Sequence, residues 1–288
     1  MNDPSMSERT KGSPGEVSEN IDVLTAKLFF NAAFPVMQVV LDDDPAMNAR
    51  FRNVKATVQI CARDGSPSKE GGELYACHLV FDNGKLTVVQ APAEKPDITL
   101  SFSSLAKMNT MFRGGAALPS IKGFSKPGLL IKIFSLLMSL MIMMPTSRPK
   151  DPVKQRLKVK MSLYMITRAL STYNKLGNPE MAEWCSRQPD RIYQFIVDKY
   201  NSKPGDEPEI ACYLRVKAGK SKSGHGVYIR RSPFVMFHFS SVKGALQVLL
   251  KDVAFVEGVE KGCVEVIGSP EYAMNLNDFM AVLQGMMT

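Results

Sequence analysis

Leu74 to Lys85 reads LYACHLVFDNGK, and Glu209 to Lys220 reads EIACYLRVKAGK. The Ala, the Cys, the penultimate Gly and the final Lys recur in step. In the first stretch, strand-forming residues run to Phe81, three residues that tolerate a positive φ (Asp82, Asn83 and Gly84) follow, and a second strand starts at Lys85, which is the pattern of a β-hairpin. The second stretch repeats the strand and its cysteine. A chain that writes one such pattern twice, more than a hundred residues apart, is read first as two related domains.

Other landmarks recur in the same order. Pro45 and Met47 answer to Pro179 and Met181 at a spacing of 134, and Phe102-Ser103-Ser104 answers to Phe239-Ser240-Ser241 at 137. Ile121-Lys122-Gly123 meets Val266-Ile267-Gly268 at 145. The offset grows along the chain as loop insertions would make it grow. At 288 residues there is room for two domains of common size, each with its own core.

Working outward, Asp22 to Leu41 carries apolar residues at helical spacing, with a kink expected at Pro35. Val54, Ala56, Val58 and Ile60 alternate with polar residues as in a half-buried strand. Ile98 to Phe102 reads as a further strand, Leu105 to Phe112 as a short helix stopped by Gly114 and Gly115, Ser120 to Phe124 as a last strand and Leu129 to Met144 as a closing helix. The second half repeats this with helices over Arg156–Lys175 and Pro179–Gln188. Its strands are expected over Ile192–Val197, Ile210–Lys217, Val227–Arg230 and Val235–Phe239, followed by a helix over Val242–Leu250, a strand over Cys263–Ile267 and a helix over Glu271–Met287. Residues 1–18 are polar and read as a disordered tail. The expected domains are 19–145 and 155–288, with the Pro-rich and charged residues 146–154 as linker.

Lys95-Pro96-Asp97-Ile98-Thr99-Leu100-Ser101, followed by Ile121-Lys122-Gly123 and an apolar helix, resembles the sterol carrier protein 2 (SCP2) family. Gly262 to Glu271, leading into Tyr272 and Ala273, resembles the last strand, turn and closing helix of the same family. The likeness covers most of residues 20–145 and 155–288. It implies an α+β fold of two tandem SCP2-like domains, each a small, mostly antiparallel five-stranded sheet backed by helices around an apolar cavity for lipid. The second copy has Ser232-Pro233-Phe234-Val235 where the first has Lys95 to Ile98, so the motif's Asp is missing there.

On that reading the cavity walls in the first half are Phe102, Met108, Phe112, Leu130, Ile133, Leu137, Leu140 and Met141. In the second half they are Phe239, Leu246, Leu250, Leu276, Met280, Leu283 and Met287. Leu129 to Met144 has only Lys132, Ser135 and Ser139 as polar members, and it reads either as a core helix between the domains or as the wall of a cavity. Its methionines would suit a variable ligand. About 24 Å long as a helix, it falls short of a roughly 30 Å bilayer core.

The chain has 36 Lys and Arg against 28 Asp and Glu, a net charge of +8 that raises the question of acidic partners. Arg148, Lys150, Lys154, Arg156, Lys158 and Lys160 follow the apolar helix against one carboxylate, Asp151. That run fits docking on an anionic membrane, or simply a solvated linker and helix face. A second cluster, Lys217, Lys220, Lys222, Arg230 and Arg231, lacks both a phosphate-binding loop and interleaved aromatics, so nucleic acid is not expected as a partner.

Five scattered cysteines match neither a zinc site nor a disulfide framework and suit a reducing, cytoplasmic setting. His78 and His238 fall inside strands, and no nucleophile has a base beside it. The expected function is therefore non-enzymatic binding and transfer of an apolar lipid, without metal or cofactor. A protein partner remains open: the chain could serve as an accessory subunit to an enzyme of hydrophobic compounds, or as a ligand-free membrane adaptor.

Overall fold

The computed structural model describes residues 14–64, 72–123, 125–199, 201–203 and 205–288. Through residue 13 the expected tail lies outside them, and helix α1 spans Pro14–Leu28. One turn of π-helix, Phe29–Ala33, joins α1 to α2 (Phe34–Asp43), so Pro35 is absorbed near the start of a helix. The run Ile21–Asp43 is long and apolar enough to cross a membrane by length and composition, but 67% of its most apolar window is buried inside the protein.

After α3 (Pro45–Phe51), capped by Asp44, come β1 (Lys55–Arg63), β2 (Leu74–Asp82), β3 (Lys85–Val89), β4 (Ile98–Phe102), α4 (Leu105–Phe112), β5 (Ser120–Lys122) and α5 (Pro127–Ser139). The second half begins with the long helix α6 (Pro152–Lys175), then α7 (Pro179–Ser186) and β6 (Arg191–Val197). It continues with β7 (Ile210–Lys217), β8 (Lys220–His225), β9 (Val235–Phe239), α8 (Val242–Leu249), α9 (Phe255–Glu260), β10 (Val264–Gly268) and α10 (Pro270–Met287).

Two five-stranded sheets result, in the orders β3-β2-β1-β4-β5 and β8-β7-β6-β9-β10. Both are mixed sheets, each with a parallel pair at its centre: β1 pairs antiparallel with β2 but parallel with β4, and β6 pairs likewise with β7 and β9. The parallel pair follows from the chain's return. After β3 the segment 90–97 crosses the outer face of the sheet, so β4 runs in the direction of β1. Gln59 receives the N–H of Ala93 at 2.8 Å, and Gln194 receives that of Tyr228 at 2.9 Å, so one glutamine on each central strand pins the crossing. Gly123 and Gly268 close the two sheets alike. Each has positive φ, and a Cβ there would stand 2.2 Å from the carbonyl oxygen of Asp97 or 2.1 Å from that of Phe234.

Two expectations shift. No strand forms over Val227–Arg230, because Ala218 and Gly219, both at positive φ, turn the chain at once and the polar Lys220–His225 becomes β8. The second half also gains α9, which sequence periodicity did not reveal.

The apolar interior is continuous through both halves. Helix α6 lies between them, packing on β7 and β8 on one side and on α2 and the π-turn on the other. Polar contacts fasten this seam. Asp43 accepts from Arg156 and Lys160, each at 2.8 Å, and Arg156 also reaches Glu209 at 2.8 Å. Arg168 donates to the carbonyl of Asn31, whose usual helical donor is missing in Pro35. Arg113, at the end of α4, donates to the carbonyl of Met286 at 2.8 Å and ties α10 to the first half.

Candidate ligand cavity

Ser104 and Ser241 cap the short helices α4 and α8 identically, receiving the N–H groups of Lys107 and Gly244. With the caps aligned, each residue of α4 has a counterpart 137 positions later, and the inward faces differ. Met108, Met111 and Phe112 correspond to Ala245, Val248 and Leu249. In the first half Phe112 is enclosed by Phe29, Phe34 and Phe102, with ring centroids 5.5, 4.8 and 6.1 Å away. In the second half the shorter Val248 and Leu249 border a cavity of about 400 Å³, while Ala245 is packed in the core.

Its sheet side is formed by Phe195, Phe237 and Phe239, the first two stacked at 4.8 Å. Helix α6 supplies Leu163, Met165 and Ile166, α8 supplies Val248 and Leu249, and α10 supplies Met280 and Ala281. Val253, Ala254 and Phe255, from the loop before α9 and its first residue, complete the wall, with Met143 reaching in from the first half. The few polar contributors include Lys158, Asn277 and Gln284, and the exposed Lys251 stands at the edge. Apolar walls with few polar groups describe a site that selects by shape.

Lys158 is 1% exposed, and its ammonium donates to the carbonyls of Met144 at 2.7 Å and Ser147 at 2.8 Å. Burial, with a smaller push from the charge of Arg148, brings its pKa down to about 8.

Of the expected wall residues, only Phe239 and Met280 line this cavity. Leu246, Leu276, Leu283 and Met287 are buried in packing around it, and Leu250 is half-buried. In the first half Phe102, Met108, Phe112, Ile133, Leu137 and Leu140 fill a packed core, each 5% exposed or less, and Leu130 is half-buried. Met141 lines a separate open groove of about 690 Å³ with Met138 and Met144. The apolar stretch after Leu129 is thus mainly core, with Ile131 and Met138 facing out and Met143 touching the cavity. Strand alternation could have found Phe195 and Phe237. The α9 wall left a trace only in the offset growing from 137 to 145.

The basic run is corrected as well. Arg156 and Lys160 are spent on Asp43, Lys158 is buried, and Arg148 pairs with Asp252 at 2.7 Å. Of this run, only Lys150 and Lys154 stand exposed without an ion pair to the described residues. A run read from sequence as a cationic face is largely internal mortar.

The remaining reactive groups are held in structural contacts. Nδ1 of His78 lies 2.7 Å from the carbonyl of Ala91, and Nε2 of His238 lies 2.8 Å from Asp198. All five cysteines are free and buried; burial pushes Cys185 and Cys212 up to about 12 and Cys77 further. Among the described residues no three His, Cys, Asp or Glu side chains gather as a metal site.

Fold and cavity together define an α+β protein with one filled and one hollow half. No protein-family model matches the chain, and no curated protein matches it. Its structural neighbours include SCP2 domains. Palmitated SCP2L2 from Aedes aegypti is 15% identical over 40% of this chain and 90% of that one, with a TM-score of 0.27. The sterol carrier protein domain 2 of Helicoverpa armigera is 20% identical over 43% and 89%, with a TM-score of 0.29. The sec-alkylsulfatase Pisa1 from Pseudomonas sp. is 10% identical over 62% of this chain and 30% of that one, with a TM-score of 0.24.

Proposed function

We propose that this protein binds and carries an apolar lipid, held in the second-half cavity, without acting on it chemically. The observation that carries the reading is the cavity of about 400 Å³ walled by phenylalanine, leucine, isoleucine and methionine. Enclosing roughly 300 Å² of apolar ligand surface at about 25 cal/mol per Å² supplies about 7 kcal/mol before ordering costs, enough for micromolar or weaker binding with no charged contact. The two halves are read as tandem SCP2-like units of which the first is a packed support and the second the container. His78 and His238, held by a backbone carbonyl and a carboxylate, and the thiols of Cys77, Cys185 and Cys212, pushed upward by burial, support a carrier over an enzyme, and five free, buried cysteines suit the cytoplasm.

Titration of the purified protein with a long-chain fatty acid and with a sterol, read by native mass spectrometry, tests this. One equivalent of either is expected, and it is lost in the Val248→Met/Leu249→Phe variant, which copies the first half's Met111 and Phe112 at two lining positions. Two equivalents, or retention in that variant, would place the ligand elsewhere. No uptake of either would sink the carrier reading.

A further inference from the structure

From Ile210 to Lys251 the chain contains no Asp or Glu and eight Lys and Arg, an excess equal to the net charge of the whole protein. The hairpin β7–β8 opens this stretch, and its register sets Arg215 opposite Lys222 and Lys217 opposite Lys220. Directly opposed residues share a face, and like charges there destabilise a sheet. The first half does the reverse at the corresponding place, where Asp82 stands opposite Lys85 and also meets Lys55 at 3.8 Å.

The cations face away from the core, because Leu214, Val216 and Ser221, which alternate with them, are buried, Ser221 against Ser171 of α6. Arg215 is engaged with Asp190, and Arg231 reaches the same carboxylate at 3.4 Å. Lys217, Lys220, Lys222 and Arg230 are exposed and have no ion pair among the described residues.

The crossing segment beside them is apolar at its tip. Pinned at the N–H of Tyr228, it leaves Ile229 91% and Val227 45% exposed, next to Arg230 and within one shallow hollow with Arg215 and Lys222. The matching crossing of the first sheet, Gln90 to Asp97, carries no Ile, Leu, Val or aromatic residue.

We infer that the outer face of β7–β8, with the Val227–Arg231 loop, is a docking surface for an anionic phospholipid bilayer. Apolar side chains standing proud of a field of cations fit headgroups and the acyl boundary beneath them, whereas a polyanion in water would use the cations and leave Ile229 idle. This surface is separate from the cavity, so the two readings can fail independently.

The test is cosedimentation of the full chain at low salt with vesicles of equal parts phosphatidylcholine and phosphatidylserine, against phosphatidylcholine alone. Binding is expected only to the anionic vesicles and should fade as salt rises. Each cation near such a surface is worth about fivefold in partition, so Lys220→Glu/Lys222→Glu should weaken binding by at least about 25-fold. The same variant places opposite charges across the hairpin, so its melting temperature should hold or rise, which separates lost docking from lost folding. Ile229→Ser should weaken binding on the order of fivefold or more, and the cavity-filling Val248→Met/Leu249→Phe variant should bind vesicles as the parent does. The inference is overturned if the parent ignores the anionic vesicles. It is equally overturned if Ile229→Ser binds them undiminished, or if a single-stranded oligonucleotide is held more tightly than vesicles at equal phosphate concentration.

Discussion

Where the first half places Phe112 on its short helix, the second places Leu249, and the interiors diverge from there. Phe112 touches three other rings and is 1% exposed, while Leu249 borders open volume. Strand order, helix caps, pinned crossings and closing glycines agree between the halves, so the scaffold tolerates either outcome. A handful of inward side chains decides whether such a unit is a solid support or a container, and a backbone comparison alone would miss the difference.

The contrast is broken most forcefully by Phe112→Ala. Removing a ring from a packed core costs about 3–5 kcal/mol, and urea unfolding should show a loss of that size. If the first half then takes up a second equivalent of ligand, side-chain volume alone separates the halves. A loss under about 1 kcal/mol would mean that the aromatic cluster is not tightly packed.

The seam comes next. In Asp43, burial works against the charged form, but the hydrogen bonds and charges of Lys160 and then Arg156 outweigh it and hold the carboxyl below its ordinary value of 3.8. A carboxylate with a depressed folded pKa stabilises the fold above its unfolded pKa, and that contribution is lost as pH falls through the folded one. Asp43→Asn should therefore cost about 1–3 kcal/mol at neutral pH, discounted for partial exposure of the group. It should also flatten the acid limb of the stability curve below about pH 4. An unchanged acid limb would show that the halves are held by apolar packing alone.

Much of this architecture was legible because it was written twice. The shared Ala-Cys and Gly-Lys steps located the first hairpin and strand β7, and the repeated Phe-Ser-Ser step located both short helices. What was not legible depended on partners distant in sequence. Strand β8 is polar on both faces, since α6 meets it through Ser221 and not through an aliphatic side chain, so it gave no hydrophobic alternation. Lys158 and Arg156 looked like solvent-facing cations because their carbonyl and carboxylate partners come from other segments. The cavity wall was half-visible: the alignment itself put Met111 and Phe112 opposite Val248 and Leu249, and the loss of volume could have been read from those pairs. Reading apolar residues as lining in both halves overlooked that a cavity is made by what is missing.

A subtler way to sharpen the comparison is to fill the hollow half. Val248→Met/Leu249→Phe, both at residues that line the cavity, should lower ligand affinity at least about tenfold, and by titration calorimetry the enthalpy of binding should vanish with it. Because the added atoms enter open volume and not a packed core, stability should change by less than about 1.5 kcal/mol. A large destabilisation would mean that the wall is rigid and its shape serves the fold as well as the ligand.

The smallest expected effect concerns Lys158, which sits where a purely apolar cavity would have no charge. Its pKa is lower in the fold, about 8, than its ordinary 10.5, because burial and then Arg148 disfavour the ammonium. Between those values the unfolded chain binds the proton and the folded one does not, so stability should rise with pH across that window. Lys158→Met removes the titrating group and should abolish the rise; relief of the buried charge and loss of the donor to the Met144 and Ser147 carbonyls oppose each other, so stability at pH 7 should change by less than about 1 kcal/mol. If ligand affinity is unchanged in this variant, the lysine serves the chain by gathering the Met144 and Ser147 carbonyls at the junction of the two halves. If affinity for a fatty acid falls while that for a neutral sterol holds, the ammonium is the polar anchor of an otherwise apolar container, and the hollow half differs from the solid one in chemistry as well as in volume.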